Sequence, residues 1–422
     1  MRQLQRFVVS IISLGFVFAQ AQTTLEYWTT ANEQTGPYYE ALVERFNESQ
    51  DEVEVVLRTY ANEAYKTALQ VGLASDNPPD VFFNWAGDDT NRFVREGQLL
   101  ALSEAAQQDG WADTLSEGAV EAFSLDGTIY GAPISQESKF IFYNTRIFEE
   151  NSITPPATFS ELLDICRTLS ESGVTPMSFG NSERWQGVHY LSIFNQKLVG
   201  EEQIGEDYTL ETPAEDLFTN PGYTEAFQTL LNMQDAGCFT AAPNATSPEI
   251  AWAEFYTEQV AMTYGGTWTI AIYNENGFEG QYDFFRMPPI EGAPGNQNYV
   301  LAGPIGVEVS ARTENPEAAQ QFVAFVVNSD NQRAFYEDAG RIPVDASVVS
   351  EESASQTLYA AVQDLSTAEG TVLWLDTVLE ASVAEAYLDV IQEVLNGSRT
   401  PEEAADVVRQ AALAAQERVN AN

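Results

Sequence analysis

Hydrophobic positions in the first hundred residues follow two different periods. Short apolar or alternating segments at 25–28, 53–57 and 80–83 are typical of β-strands. Between them, residues 38–47 and 64–74 carry apolar side chains at helical spacing. This β-α-β-α-β order predicts a parallel sheet that is covered by helices on both faces.

The alternation of strand and helix signals continues to the end of the chain. Further helices are expected near 91–100, from Thr158, over 223–235, from Pro316, over 381–395 and from Thr400. Further strands are expected at 140–143, 260–264 and 305–309. Because the strand at 305–309 resumes the pattern of the first strands, we predict two α/β lobes between which the chain crosses more than once.

The first 21 residues have the three-part layout of a secretory signal peptide. Residues 1–6 carry two arginines and no acid, residues 7–18 are largely apolar, and the small residues Ala19 and Ala21 precede the expected cleavage point. The apolar run is too short for a resident membrane helix, and the lack of a nearby cysteine argues against a lipid anchor. We therefore predict a periplasmic or secreted protein whose mature chain begins near Gln22.

Chain length indicates the number of lobes, and net charge excludes some classes of binding partner. A mature chain of about 400 residues is longer than one hydrophobic core comfortably serves, which also favours two lobes. The sequence has 63 acidic and 19 basic residues, for a net charge of −44. Such a surface repels phosphate backbones and anionic lipid, so we expect no nucleic-acid partner. Since the acids are scattered, they favour a strongly solvated surface, with a cationic ligand as the alternative explanation.

The sequence has no motif for catalysis or for a cofactor. It contains no Gly-rich phosphate loop, no His-Glu-x-x-His, no Cys-x-x-Cys and no Gly-x-Ser-x-Gly. His189 is the only histidine and lies in an apolar helical stretch, which argues against a catalytic triad and favours a packed side chain. The acids at 211–216 lack the spacing of a calcium loop. We predict no catalytic residue, metal site or cofactor.

The two cysteines leave two structural alternatives open. Cys166 and Cys238 each lie late in a predicted helix of the same lobe. Export permits oxidation, so the pair could form a structural disulfide, or both thiols could be free and buried.

Seven segments, spread in order over nearly the whole mature chain, resemble one family of proteins. They are 25–33 (LEYWTTANE), 79–85 (PDVFFNW), 126–133 (DGTIYGAP), 142–148 (FYNTRIF), 156–163 (PATFSELL), 260–268 (VAMTYGGTW) and 397–404 (GSRTPEEA). In this order they resemble the extracytoplasmic sugar-binding proteins of ABC importers, the family that includes the maltose- and glucose-binding proteins.

The resemblance implies a periplasmic-binding-protein fold of type II-like topology, with hinge crossovers near Ile134, Met287 and Ile342. It divides the chain into a signal peptide (1–21), an N-terminal lobe (22–134 plus 288–341) and a C-terminal lobe (135–287 plus 342–422). It also implies a monomer that captures a mono- or oligosaccharide by lobe closure and delivers it to the permease of an ABC transporter.

The resemblance also implies where the ligand is held. A sugar offers flat C–H faces to aromatic rings and a rim of hydroxyls to polar groups. Trp85, at the end of the third strand, Trp268, after a Gly-Gly turn, and Trp374, before a long helix, match aromatic cleft positions of the family. Asp88 matches a hydroxyl-binding acid. Gly87 stands where some members carry a histidine.

Five further residues are weaker candidates for ligand contact, namely Trp28, Glu33, Glu137, Trp185 and Arg341. Trp28 and Glu33 flank the loop after the first strand, although Trp28 could equally point into the core. Glu137 and Arg341 lie at crossovers, where Glu137 could be a solvated surface acid and Arg341 could only brace the hinge. Trp185 lies in a polar context that favours a pocket edge.

Two tryptophans with helix-face patterns, Trp111 and Trp252, are assigned to packing.

Two alternative functions stay open. The same fold could bind a polyamine, an amino acid or a metal, or the chain could be a secreted glycoside hydrolase, which would normally need a barrel or sandwich fold.

Overall fold

The structure is a computed structural model that describes residues 22–421. The predicted signal peptide, residues 1–21, lies outside these described residues. Within 22–421, no helix is both long and apolar enough to cross a membrane.

The described chain alternates between strands and helices along most of its length. The strands are β1 (Thr23–Thr30), β2 (Val53–Tyr60), β3 (Val81–Trp85), β4 (Ser124–Leu125), β5 (Thr128–Ile129), β6 (Gly131–Asn144), β7 (Thr175–Ser178), β8 (Val260–Gly266), β9 (Tyr282–Phe285), β10 (Val300–Val309) and β11 (Thr371–Val372). The α-helices are α1 (Gly36–Ser49), α2 (Asn62–Ala74), α3 (Asp88–Arg95), α4 (Ser103–Asp109), α5 (Glu117–Ala122), α6 (Thr145–Glu150), α7 (Phe159–Glu171), α8 (Trp185–Val199), α9 (Glu201–Tyr208), α10 (Gly222–Asp235), α11 (Pro248–Tyr256), α12 (Thr269–Tyr273), α13 (Pro316–Val326), α14 (Ser329–Asp338), α15 (Gln356–Ser366), α16 (Leu375–Val378), α17 (Ala381–Leu395) and α18 (Pro401–Ala421).

The strands confirm the predicted mixed α/β architecture. β1 pairs in parallel with both β2 and β3, as the β-α-β-α-β order requires. The main sheet has the order β2-β1-β3-β10-β6-β8-β7, in which β10 runs antiparallel to β3 and to β6. The long strands β6 and β10 therefore join the β1–β3 half of the sheet to the β7–β9 half.

Two large hydrophobic clusters lie on either side of this junction. The first contains buried residues between Leu25 and Ile134 and again between Ile305 and Val344. The second contains residues from Ile141 to Leu301 and the C-terminal helices, and it includes Met287. The chain therefore passes between the clusters inside β6, inside β10 and again between Val344 and Val372. The exact division of the chain into lobes remains a prediction.

Local signals set most helix boundaries. Thr158 caps α7, since its hydroxyl accepts a hydrogen bond from the Glu161 amide. Thr400 and Glu403 form the reciprocal bonds of a capping box before α18. α3 corrects the helix that was expected near 91–100, because it spans Asp88–Arg95 and the following Gly97 is left-handed, with φ 66°.

Cys166 and Cys238 form a disulfide, the first of the two alternatives that the sequence left open. Cys166 lies within α7, whereas Cys238 follows the end of α10 instead of lying within that helix. Both cysteines are completely buried, so the bridge fastens α7 to the segment after α10 inside the second cluster.

A buried acid in the first half gives a pH-dependent prediction. Glu308 on β10 is buried, and its carboxylate accepts hydrogen bonds from Asn84 and Thr90. Burial raises the Glu308 pKa from 4.5 to about 8. Between these values the folded state binds more protons than the unfolded state, so this group costs stability as pH rises from about 5 to 8. We expect Glu308→Gln to stabilise the protein by about 2 kcal/mol at pH 8.5 and by much less at pH 5.5.

The measurement is urea unfolding of wild type and Glu308→Gln at both pH values, with the exposed Glu225→Gln as a control for a lost charge. A variant that is no more stable than wild type at pH 8.5 would show that Glu308 is ionised without penalty in the fold.

Candidate functional site

A cavity of about 490 Å³ lies between the two halves of the molecule. On one side it is lined by the loop after β1, the start of α2 and the end of β3. On the other side it is lined by α8, α11, the turn after β8 and the segment at 374–377. Side chains of the joining strands, Glu137 on β6 and Ile305 on β10, form part of its lining. The cavity therefore lies where the halves of the sheet are connected.

Aromatic rings from both halves line the cavity. Trp85, half-buried at the end of β3, packs edge-to-face on Phe83 with ring centroids 4.7 Å apart. From the opposite half come Trp268 and Trp374, whose centroids lie 5.9 Å apart at 74°. Trp185 lies 6.2 Å from Trp268. The lining thus contains the broad apolar faces that sugar rings pack against.

Glycines allow two of these indoles to lie close to the sheet. A Cβ on Gly266 of β8 would lie 2.2 Å from ring atoms of Trp268. A Cβ on Gly303 of β10 would lie 2.5 Å from the Trp374 Nε1. Any larger residue at either position would push the neighbouring ring away from the sheet, so each glycine sets the position of one wall.

Gly87 has a different role from the side chain that some family members carry there. Its φ of 117° is in a region that L-residues rarely adopt. A Cβ at this position would lie 2.7 Å from the carbonyl oxygen of Thr377. The glycine therefore allows the segment at 374–377, from the second half, to approach the start of α3 in the first half.

A buried ion pair lies at the junction of the halves. Arg341 Nη1 is 3.2 Å from Glu137 Oε1, and the side chains are 14% and 4% exposed. The same carboxylate accepts hydrogen bonds from Ser135 Oγ at 3.0 Å and from Thr267 Oγ1 at 2.6 Å. Because both carboxylate oxygens have donors, the Glu137 charge is well compensated inside the protein.

A second pair of charged residues, Lys66 and Asp376, has fewer hydrogen-bond partners. Lys66 Nζ of α2 lies 3.6 Å from Asp376 Oδ2 and 5.6 Å from the centroid of Trp85. In the part of the chain that the structure describes, Asp376 Oδ1 has no hydrogen-bond partner, nor has His189 Nδ1. Burial raises the Asp376 pKa, which the Lys66 ammonium partly offsets. Burial, with help from Lys139 and Lys66, holds the His189 pKa well below its usual value, so the imidazole is neutral.

Seven of the nine residues predicted from the sequence line this cavity, namely Glu33, Trp85, Glu137, Trp185, Trp268, Arg341 and Trp374. Asp88 and Trp28, the other two, do not line it. The Asp88 side chain forms an ion pair with Arg95 of the same helix, with 2.6 Å between Asp88 Oδ1 and Arg95 Nη2. Trp28 points away from the cavity, under α2, where its indole covers Gly72 and its Nε1 donates to Glu26 at 3.1 Å.

Several lining residues were not singled out by the sequence. Trp252, assigned to packing, is nearly buried but lines the cavity from α11, whereas Trp111 packs in the first cluster as predicted. Lys66, Asp376 and His189 also line it. Among 63 acids no sequence signal separates Asp376 from the others. Among the described residues, no group of three or more His, Cys, Asp or Glu side chains could hold a metal ion.

Comparison with known proteins identifies the family. The model of the bacterial extracellular solute-binding proteins matches residues 41–361. This chain belongs to that family. The membership confirms the resemblance inferred from the seven segments, and it places the protein among solute-binding proteins that act outside the cytoplasm.

This solute-binding protein has relatives along most of its length. An uncharacterised ABC transporter extracellular-binding protein of Pyrococcus horikoshii is 22% identical, over 90% of this chain and 85% of the relative. The multiple sugar-binding protein of Streptococcus mutans is 20% identical, over 79% and 78%. A structure from work on xylan utilization by Caldanaerobius polysaccharolyticus superimposes with a TM-score of 0.86 at 25% identity, covering 92% of this chain and 99% of that one. The two-lobed fold predicted from the resemblance is thereby confirmed.

Proposed function

We propose that this solute-binding protein captures a mono- or oligosaccharide in the cavity between its halves and delivers it to the permease of an ABC transporter. The observation that carries the proposal is that tryptophans from both halves line one cavity, Trp85 on one side and Trp268 and Trp374 on the other. Relatives named for sugar binding and a structural neighbour from xylan utilization support it.

The composition of the cavity suits a carbohydrate. Its volume of about 490 Å³ falls within the range of roughly 300–1,000 Å³ that is common for small-molecule sites. We assign the sugar faces to the indoles of Trp85, Trp185, Trp268 and Trp374, and the hydroxyl rim to Glu33, Glu137 and Arg341, all of which line the cavity. Asp376 Oδ1 adds an acceptor that has no hydrogen-bond partner within the described chain.

Capture requires that one ligand contacts both halves, because only such a ligand favours the closed state over the open one. In this proposal the halves would move about the three places where the chain passes between them, namely β6, β10 and the segment between Val344 and Val372. One hydrogen bond joins the halves beside the cavity, from Gln34 Nε2 to Glu275 Oε2 at 2.8 Å. In our proposal the monomeric, closed form is the one that the permease recognises.

Export through a cleaved signal peptide and release without a lipid anchor complete the proposal. In this view the protein performs no chemistry on its ligand. The fold supports this, because the main sheet of the described chain is open. A secreted glycoside hydrolase would normally need a barrel or a sandwich.

The test is a thermal-shift screen of the mature protein against neutral mono- and oligosaccharides, spermidine and amino acids. A sugar at a hundredfold over its Kd should stabilise the protein by about 2.7 kcal/mol. Stabilisation by spermidine or an amino acid and by none of the sugars would overturn the carbohydrate proposal. Release of new reducing ends from an oligosaccharide at enzymatic rates would overturn the non-catalytic part of it.

A further inference from the structure

The charges that line the cavity do not balance. Five carboxylates line it, those of Glu33, Glu137, Glu183, Glu249 and Asp376. The cations of the lining are Lys66 and Arg341, since the imidazole of His189 is neutral. The cavity therefore has three more carboxylates than cations.

The excess negative charge lies on the acids that have no cation nearby. Glu137 pairs with Arg341, and Asp376 lies beside Lys66. Within residues 22–421, the carboxylates of Glu33, Glu183 and Glu249 have no cation within 4 Å. These three acids carry the uncompensated charge.

Two of these acids belong to one aromatic wall. Glu183 accepts a hydrogen bond from Trp185 Nε1 at 3.0 Å, which leaves its second oxygen available. Glu249 lies in the first turn of α11, three residues before Trp252. The indoles of Trp185 and Trp252 form this wall, and their ring centroids lie 6.5 Å apart. Burial raises the Glu183 pKa and the negative charge of Glu249 also raises it, while the hydrogen bond from Trp185 and the Lys66 ammonium partly offset the rise.

A separate observation also indicates a ligand that donates hydrogen bonds. The Asp376 side chain lines the cavity and is 8% exposed, yet its Oδ1, which lies 3.8 Å from His189 Nε2, has no hydrogen-bond partner in the described chain. A buried carboxylate oxygen without a donor is costly, and a donor on the ligand would remove that cost. An anionic group in its place would add repulsion to the desolvation penalty.

Indole faces attract cations, and carboxylates beside them reinforce that attraction. We propose that the cavity selects saccharides by charge, so that for one sugar skeleton the affinity falls from the amino sugar to the neutral sugar and then to the uronate. The protonated amine would bind between Glu183, Glu249 and the indoles of Trp185 and Trp252. This inference rests on the proposed carbohydrate function and specifies the class of sugar.

The experiment is calorimetric titration of the mature protein with matched sugars. The probes are glucosamine, glucose and glucuronate, the corresponding galactose and mannose series, and the β-1,4 trimers of glucosamine, glucose and glucuronate. We expect at least one series in which the amino form binds about tenfold tighter than the neutral form, while the uronate form shows no binding. Raising the salt concentration should reduce the preference, because it screens exposed charges.

The double variant Glu183→Gln/Glu249→Gln keeps the size of both side chains and removes their charge. It should reduce the amino preference to less than about threefold, a change of roughly 0.7 kcal/mol or more. The control is Glu215→Gln/Glu225→Gln, which removes two exposed acids outside the cavity and should leave the preference unchanged.

The outcomes separate this inference from the proposed function. Binding of neutral sugars with no amino preference, equal binding of a uronate, or an unchanged preference in the double variant would each overturn charge selection but leave carbohydrate capture intact. Failure of every sugar, charged or neutral, would overturn the proposed function itself.

Discussion

Replacing Trp268 or Trp85 with alanine is expected to weaken sugar binding by about a hundredfold, or ~2.7 kcal/mol. The two indoles line the cavity from opposite halves of the molecule, and both are half-buried, so each retains a face that a ligand can cover. Removing one of them takes away a stacking surface and weakens the contact of the sugar with that half of the molecule. Calorimetric titration with the best sugar from the screen measures the loss.

Loss of the Trp85 indole should also weaken closure, since a ligand that interacts less strongly with one half favours the closed state less. Small-angle scattering with saturating sugar should therefore show less compaction in Trp85→Ala than in wild type.

The matched control is Trp28→Ala, because Trp28 is also a tryptophan of the first half but covers Gly72 and lies outside the cavity. We expect it to lower thermal stability and to leave the Kd within about twofold of wild type. If Trp28→Ala weakened binding as much as Trp268→Ala, the losses would reflect general destabilisation, and the assignment of the indoles to the ligand would fail.

Removal of the disulfide by Cys166→Ala/Cys238→Ala is expected to lower the free energy of unfolding of the second half by about 4 kcal/mol. The bridge joins residues that are 72 positions apart, and closing a loop of this size restricts the unfolded chain strongly. Each cysteine is replaced by a small apolar residue, so the change adds no unpaired polar group to the core. Urea unfolding with fluorescence detection gives the difference.

Reduction of the wild-type protein with a phosphine provides the independent comparison and should reproduce the effect of the double variant. Sugar affinity of the folded variant should stay unchanged, because neither cysteine lines the cavity. Equal stability of the oxidised and reduced proteins would contradict a stabilising role for the bridge.

The tryptophans show which side-chain positions can be predicted from the sequence. Trp85, Trp268 and Trp374 line the cavity, as the resemblance to the sugar-binding family implied, and Trp85 also ends a strand, which is where ligands bind in open α/β sheets. The local pattern left the side of Trp28 open, and it did not show that Trp252, which packs in a hydrophobic cluster as predicted, also lines the cavity. Trp28 lies on the face of β1 opposite Tyr27, and which face of a strand meets a ligand depends on the helices that cover it. Trp252 has the same helical spacing as a packing residue, and only the position of α11 turns it towards the cavity.

Charged residues were still harder to place. Asp88 follows β3 at a suitable position, but an arginine seven residues later on the same helix pairs with its carboxylate. Lys66 and Asp376 are 310 positions apart in the chain and meet only because Gly87 lets the segment at 374–377 approach the first half. No local pattern contains such a pairing.

The order of strands and helices and the presence of two lobes were determined by the sequence alone, because hydrophobic periodicity, capping residues and turn glycines act over a few neighbouring residues. The membership of the solute-binding family followed from the resemblance of seven ordered segments to that family. The composition of the cavity was decided only by the tertiary structure. Its walls come from loops and helices that are distant in the chain, and the balance of carboxylates and cations depends on which of them come within a few ångströms of each other. Distances of this kind follow from the packing of whole elements.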